Sequence, residues 1–364
     1  MLITRGVLFK KIKDALYKNT KRCYSESNKT KWNVVFFGTD HFALQSLQKL
    51  HHAMLNGDVV KRLSVVVPAP KPNPCLVAKY AKQHSIPFDE WPLPKESPLK
   101  GDWDLGVVAS FGHLIPRRII NIFPRGMLNI HASLLPRWRG AAPIIHALVN
   151  GDKETGITIM QIKPFHFDVG DIILQERIPI DPSITAVPLT RKLAETGSDL
   201  IVRSLSDLEN HLARGVPQPS DGVTLAPKIG AHFSHIDWSQ LTAVQVYNRW
   251  RGTQHLFKLQ TSFHGENIKL DGMELPTEPS ASLLKDSTSQ TGQIIVDRQR
   301  NVLLVRCTEG WASFRHITLP RRPVMSAVDF ANGYLKKKPK ALHFFTASHP
   351  AESETSPHRT QKTQ

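Results

Sequence analysis

Residues 32–50 read WNVVFFGTDHFALQSLQKL. The first six form an apolar run as long as a buried strand, and Gly38 interrupts it. Phe42, Leu44, Leu47 and Leu50 then recur at helical spacing, so the segment reads as strand, tight turn and helix. Working outward, apolar runs return at Leu63 to Val67, Leu105 to Ala109, Met127 to Ile130, Ile157 to Ile162 and Ile172 to Leu174. Helical patterns fall between them near 76–84 and 142–150, and again at 188–213. Strands alternating with helices predict an α/β domain over 32–213, a Rossmann-like open, mostly parallel sheet with helices on both faces. The turn Gly38-Thr39-Asp40 has one glycine where the dinucleotide fingerprint needs three, so it does not indicate a nucleotide cofactor.

From residue 214 the character changes. Residues 214–225, RGVPQPSDGVTL, are rich in Pro, Gly and Ser and read as a linker. Beyond it, one helical segment from Ser239 to Arg251 precedes short runs at Ile268 to Leu270, Gly292 to Val296, Val302 to Val305 and Ala312 to Ile317. Short strands at close spacing predict a second domain over 226–345, a small OB-like β-barrel, with 346–364 as a disordered tail. Trp238, Trp250 and Trp311 are assigned to its core rather than to base stacking.

The formal net charge is +16, placed unevenly. Residues 1–31 carry +7, residues 226–345 carry +7, and the long middle stretch carries only +2. A nearly neutral middle suits chemistry on a small molecule, and a basic end suits a polyanion. Residues 1–31 interleave Arg5, Lys10, Lys11, Lys13, Lys18, Lys21 and Arg22 with apolar side chains, a basic amphipathic pattern expected of a mitochondrial targeting segment. A basic surface helix or RNA-binding arm is the other reading. No run approaches the ~18 apolar residues of a membrane-spanning helix, so no membrane role beyond import is expected. Cys23, Cys75 and Cys307 lie far apart, which argues against both a disulfide framework and a zinc site. His232 and His235 with Asp237 offer too few ligands for a metal, and none is expected.

The chemistry is concentrated in Gly126 to Ile144, GMLNIHASLLPRWRGAAPI. Asn129 and His131 are two apart on an extended run, so both side chains leave one face of a strand. An amide can donate to a developing oxyanion, and an imidazole can donate or move a proton near neutral pH. The second piece is Phe167 to Ile172, FDVGDI, where Asp168 precedes a glycine that permits close approach. Asp168 reads either as an ordinary Asx turn or as a carboxylate that orients a histidine.

Together the strand ending Asn-x-His, the run Ser133-Leu134-Leu135-Pro136 and Asp168-x-Gly170-Asp171 resemble the folate-dependent formyltransferase superfamily. The continuation Arg137 to Ile144, RWRGAAPI, narrows the resemblance to the branch acting on methionyl-tRNA, and the leader to its mitochondrial form. Supporting marks run from Phe37-Gly38-Thr39 through Val107 to Pro116 and Gly156 to Gln161, then Ile236 to Ser239 and Met325 to Phe330.

The resemblance implies that Asn129, His131 and Asp168 are the catalytic residues. It also implies that Ser133, Leu134, Leu135 and Pro136, with Phe111, Gly112, His113 and Leu114, contact the folate. The reaction implied is formyl transfer from 10-formyltetrahydrofolate to the α-amine of methionine on initiator tRNA, releasing tetrahydrofolate, in the mitochondrial matrix, by a monomer. Arg137, Arg139, Arg249, Arg251, Arg321, Arg322 and Lys336 to Lys338 are the expected tRNA contacts.

Two departures stand out. The segment Val67 to Cys75 is short and Pro-rich, with Lys71 its only charge, where bacterial members carry a basic loop. One residue is also inserted between Gln161 and Asp168. Two competing readings remain: a formyltransferase for a small-molecule amine, and an RNA-binding module without chemistry, against which the three intact polar residues speak.

Overall fold

The computed structural model describes residues 30–70, 72–95, 99–285, 290–336, 339 and 343–347. The expected targeting segment, except its last two residues, therefore lies outside the described residues, as do Lys71, Lys337, Lys338 and the chain beyond 347.

The apolar run at 32 becomes strand β1 (Trp32–Gly38), and Asp40 caps the following helix α1 (His41–Leu55) by accepting from the Ala43 amide. The chain continues through β2 (Val60–Pro68), α2 (Leu76–Gln83), β3 (Phe88–Trp91), β4 (Leu105–Ala109), the single turn α3 (Arg117–Ile120) and β5 (Met127–His131). Next come α4 (Pro143–Val149), β6 (Glu154–Gln161), β7 (Ile172–Pro179), α5 (Ala186–Ser206) and α6 (Leu208–Ala213). The seven strands form one sheet in the order β3-β2-β1-β4-β5-β6-β7. Strands β1 to β5 run parallel, whereas β6 is antiparallel to both β5 and β7.

Strand β1 shows why its sequence does not alternate. Val34 and Phe36 enter a core on one face of the sheet, while Val35 and Phe37 enter the core on the other. A strand covered on both faces is apolar throughout. The strand order reverses between β1 and β4, and open sheets of this kind bind ligands at the carboxyl ends beside such a point. Asn129 and His131 lie near the carboxyl end of β5, the strand beyond β4.

The second domain opens with a 3-10 turn (Ala231–Ser234) and helix α7 (Ala243–Thr253). This helix starts four residues later than its apolar pattern suggests. Asp237 closes a turn onto Ser239, and the cap forms at Thr242, whose hydroxyl accepts from Gln245 while the Gln245 side chain accepts from the Thr242 amide. Strands β8 (Leu259–Phe263), β9 (Glu266–Met273), β10 (Ile294–Asp297), β11 (Val302–Arg306) and β12 (Trp311–Thr318) pair in the order β10-β11-β12-β9-β8, with β13 (Met325–Ser326) beside β12. Residues 343–346 close the gap between the edges: Ile294 donates to His343 O, and Ser262 and Thr346 exchange both backbone bonds. The expected disordered tail from 346 is corrected at its first residue, because Thr346 is paired within the barrel. Trp238, Trp250 and Trp311 are all buried.

The domains meet through α4 and α7. Arg251, only 4 % exposed, donates to the carbonyls of Asp181, Pro182 and Ile184 in the first domain.

Candidate active site

Asn129 and His131, alternate residues of β5, both turn toward Asp168. Asn129 Nδ2 donates to Asp168 Oδ1 at 3.1 Å, and His131 Nδ1 lies 3.5 Å from the same oxygen. The Gly140 amide donates to Asp168 Oδ2 at 2.9 Å. The three side chains read from sequence are therefore within reach of one another, and His131 is 6 % exposed.

His131 Nε2 lies 2.9 Å from Trp138 O. A carbonyl only accepts, so Nε2 carries a hydrogen and Nδ1 is the nitrogen left to face Asp168 and a reacting group. The Trp138 carbonyl is itself fixed. Trp138 has φ +62°, its amide donates to Thr224 Oγ1 at 2.9 Å, and its indole donates to Asp152 at 2.7 Å. Arg137 binds the Asp152 carboxylate through two bonds of 2.8 and 2.6 Å, which raise the guanidinium pKa.

Asp168 sits at the end of a loop whose geometry depends on Gly170. A Cβ on Gly170 would lie 1.5 Å from Gln161 O, so only glycine lets the β6–β7 connection fold back this closely. Asp168 has φ +56°, a left-handed conformation that Asp tolerates better than most residues. Phe165, His166 and Phe167 leading into it are exposed.

The Ser133-to-Pro136 run is underpinned from below. Thr158 on β6 donates to Ser133 O and accepts from the Leu135 amide, and Gln175 on β7 donates to Leu135 O and to Thr158 Oγ1. Ser133 is fully buried with its hydroxyl given to Arg137 O, and Leu135 is 3 % exposed, so their side chains support the loop from within. Leu134 and Pro136 remain partly exposed. On the neighbouring β4 loop, Phe111 is buried against Phe37 and Trp91, while Gly112, His113 and Leu114 are exposed.

The expected polyanion contacts also divide. Arg321, Arg322 and Lys336 are exposed on the second domain. Arg251 is withdrawn from that set, being buried and committed to three carbonyls. Arg249 donates to His235 O, and burial lowers its pKa and that of Arg251. Arg139 is bound to Gln218.

Sequence reading also missed the part played by the supposed linker. Residues 216–226 run along the first domain as a strap. Val216 pairs with Ile172, Arg139 donates to Thr224 O, and Ala226 donates to Arg139 O. Its Pro, Gly and Ser content hid this, since backbone pairing leaves no side-chain pattern.

Comparison with known proteins gives a consistent family assignment. Residues 32–205 match the formyl transferase family, and residues 228–335 match the formyl transferase C-terminal domain. The mitochondrial methionyl-tRNA formyltransferase of Homo sapiens is 42 % identical over 315 residues, covering 84 % of this chain and 79 % of that protein. A methionyl-tRNA formyltransferase of Caldicellulosiruptor saccharolyticus is 33 % identical over 322 residues, covering 84 % and 98 % respectively.

Among solved structures, an N-formyltransferase from Helicobacter canadensis, in complex with folinic acid and dTDP-3-aminofucose, has a TM-score of 0.57 at 17 % identity, covering 79 % of this chain and all of that one. A 4-N formyltransferase from Francisella tularensis has a TM-score of 0.52 at 19 % identity, over 67 % and 98 % of the two chains. These two likenesses show the fold.

Proposed function

Because the chain belongs to the formyl transferase family through both of its domains, we propose that it transfers the formyl group of 10-formyltetrahydrofolate to the α-amino group of methionine on initiator tRNA. The product, formylmethionyl-tRNA, serves initiation of mitochondrial translation. The observation that carries the reading is the extent of the likeness: at 42 % identity, the match to a mitochondrial methionyl-tRNA formyltransferase takes in most of both chains.

The site supports a direct transfer. As the amine nitrogen bonds to the formyl carbon, the carbonyl oxygen gains charge. Asn129 has a second amide hydrogen beyond the one on Asp168, and His131, in its doubly protonated form, presents an Nδ1–H on the same side. These are the donors for that oxygen. Collapse of the intermediate breaks the bond to the folate nitrogen N10, and the proton released by the amine must reach N10. Asp168, held by Gly140 and placed against both donors, is the group to relay it, directly or through a water. The exposed Gly112, His113 and Leu114, with the partly exposed Leu134 and Pro136, offer accessible surface for the folate ring. The exposed cations of the second domain supply charge for the tRNA backbone. The mitochondrial relatives and the basic leader support action in the matrix.

The test is incubation of purified protein and 10-formyltetrahydrofolate with methionylated initiator tRNA, free methionine or an amino sugar nucleotide. Formylation is expected on the tRNA. Equal or preferential formylation of a free amine contradicts the reading.

A further inference from the structure

The strap between the domains reaches the reacting groups through one side chain. Gln218 Nε2 donates to Asp168 O at 3.0 Å and to Gly170 O at 2.8 Å. Its Oε1 accepts from Arg139 Nε at 3.0 Å and from the same guanidinium at 2.7 Å. All four hydrogen-bonding positions of the amide are thus used, in one orientation. Turning the amide over would set its NH2 against a guanidinium and its oxygen against two carbonyls. Gln218 is half-buried among exposed Val216, Pro217, Pro219 and Ser220, so only its side chain is drawn inward.

We infer that Gln218 is a positioning residue for the transfer: it fixes the backbone of Asp168, and so the carboxylate that meets Asn129 and His131. The inference rests on the formyl-transfer reading above. Asp168 is held in the left-handed region at the end of an exposed loop, and its carboxylate is aligned by bonds to Asn129 and Gly140. Gly140 itself follows Arg139, the other partner of Gln218. One amide therefore ties both segments that set the carboxylate, the 161–171 loop and the 136–142 turn, to a strap that leads into the second domain. Small misplacement of a reacting group costs about 10²-fold in rate, whereas substrate affinity depends on other surfaces.

The experiment compares wild type, Gln218→Ala and Gln218→Glu in the full chain, with folding checked by thermal melting. The glutamate variant keeps an acceptor for Arg139 and loses both donors. Both variants are expected to lose about 10- to 100-fold in kcat with KM for folate and tRNA nearly unchanged. In an Asp168→Asn background, Gln218→Ala should add little, because it acts through that carboxylate.

Wild-type kcat in either folded variant overturns the inference while leaving the formyl-transfer reading intact. Fully multiplicative losses in the double variant overturn it too. A wild type unable to formylate methionyl-tRNA overturns the underlying reading before any variant is compared.

Discussion

At the scale of single residues, the account turns on which atoms of three side chains face the reacting carbon. His131 Nε2 is committed to the Trp138 carbonyl, leaving Nδ1 for chemistry. Asp168 accepts from Asn129 and Gly140 together. Asp168→Asn keeps the shape but faces an amide with an amide, and removes the negative charge beside His131. It should lower kcat by about 10²- to 10³-fold with an unchanged melting profile, measured by steady-state formylation. Strand periodicity alone sets Asn129 and His131 on one face, whereas joining Asp168 to them came from the resemblance carried by the flanking runs. Asp152, Thr158 and Gln218 were not legible, since their roles arise from contacts to backbone and side chains far along the chain.

At the scale of elements, Gly170 and helix α1 yield separate predictions. Gly170→Ala would set a methyl against Gln161 O, forcing the β6–β7 connection apart. It should cost about 1–3 kcal/mol of stability and displace Asp168, visible as a lower melting temperature together with lost turnover. On α1, His51 is buried and bonded to Tyr80, and its pKa is lowered from 6.5, first by burial and then by His84 and His52.

A neutral folded histidine binds fewer protons than the unfolded one. Its stabilisation is therefore complete above 6.5 and is lost as pH falls toward the depressed folded value. His51→Gln should melt with a smaller difference between about pH 7.5 and 5.5 than wild type. Apolar runs located β1, β2, β4 and β5 closely, because those strands are covered on both faces. Strands β3 and β8, FDEW and LQTSF, carry no such run. The first is an exposed edge, and the second is specified by pairing with β9.

At the scale of the whole molecule, the two-domain division was legible from the shift in strand spacing and charge, but the join was not. What reads as a linker is paired to Arg139 and Ile172 beside the proposed site, and Arg251, expected to face tRNA, is buried where the domains meet. Arg251→Met should leave three carbonyls without their donor and lower stability by about 1–3 kcal/mol, readable by chemical denaturation. If, as proposed, exposed cations of the second domain hold the tRNA backbone, the KM for methionyl-tRNA should rise steeply with salt while that for folate changes little.

The most direct measurement is the single-turnover rate of formyl transfer from 10-formyltetrahydrofolate to methionylated initiator tRNA, wild type against Asn129→Ala. The account predicts accumulation of formylmethionyl-tRNA by the wild type and a rate lower by about 10²- to 10³-fold in the folded variant. A folded variant that transfers formyl at the wild-type rate would contradict it.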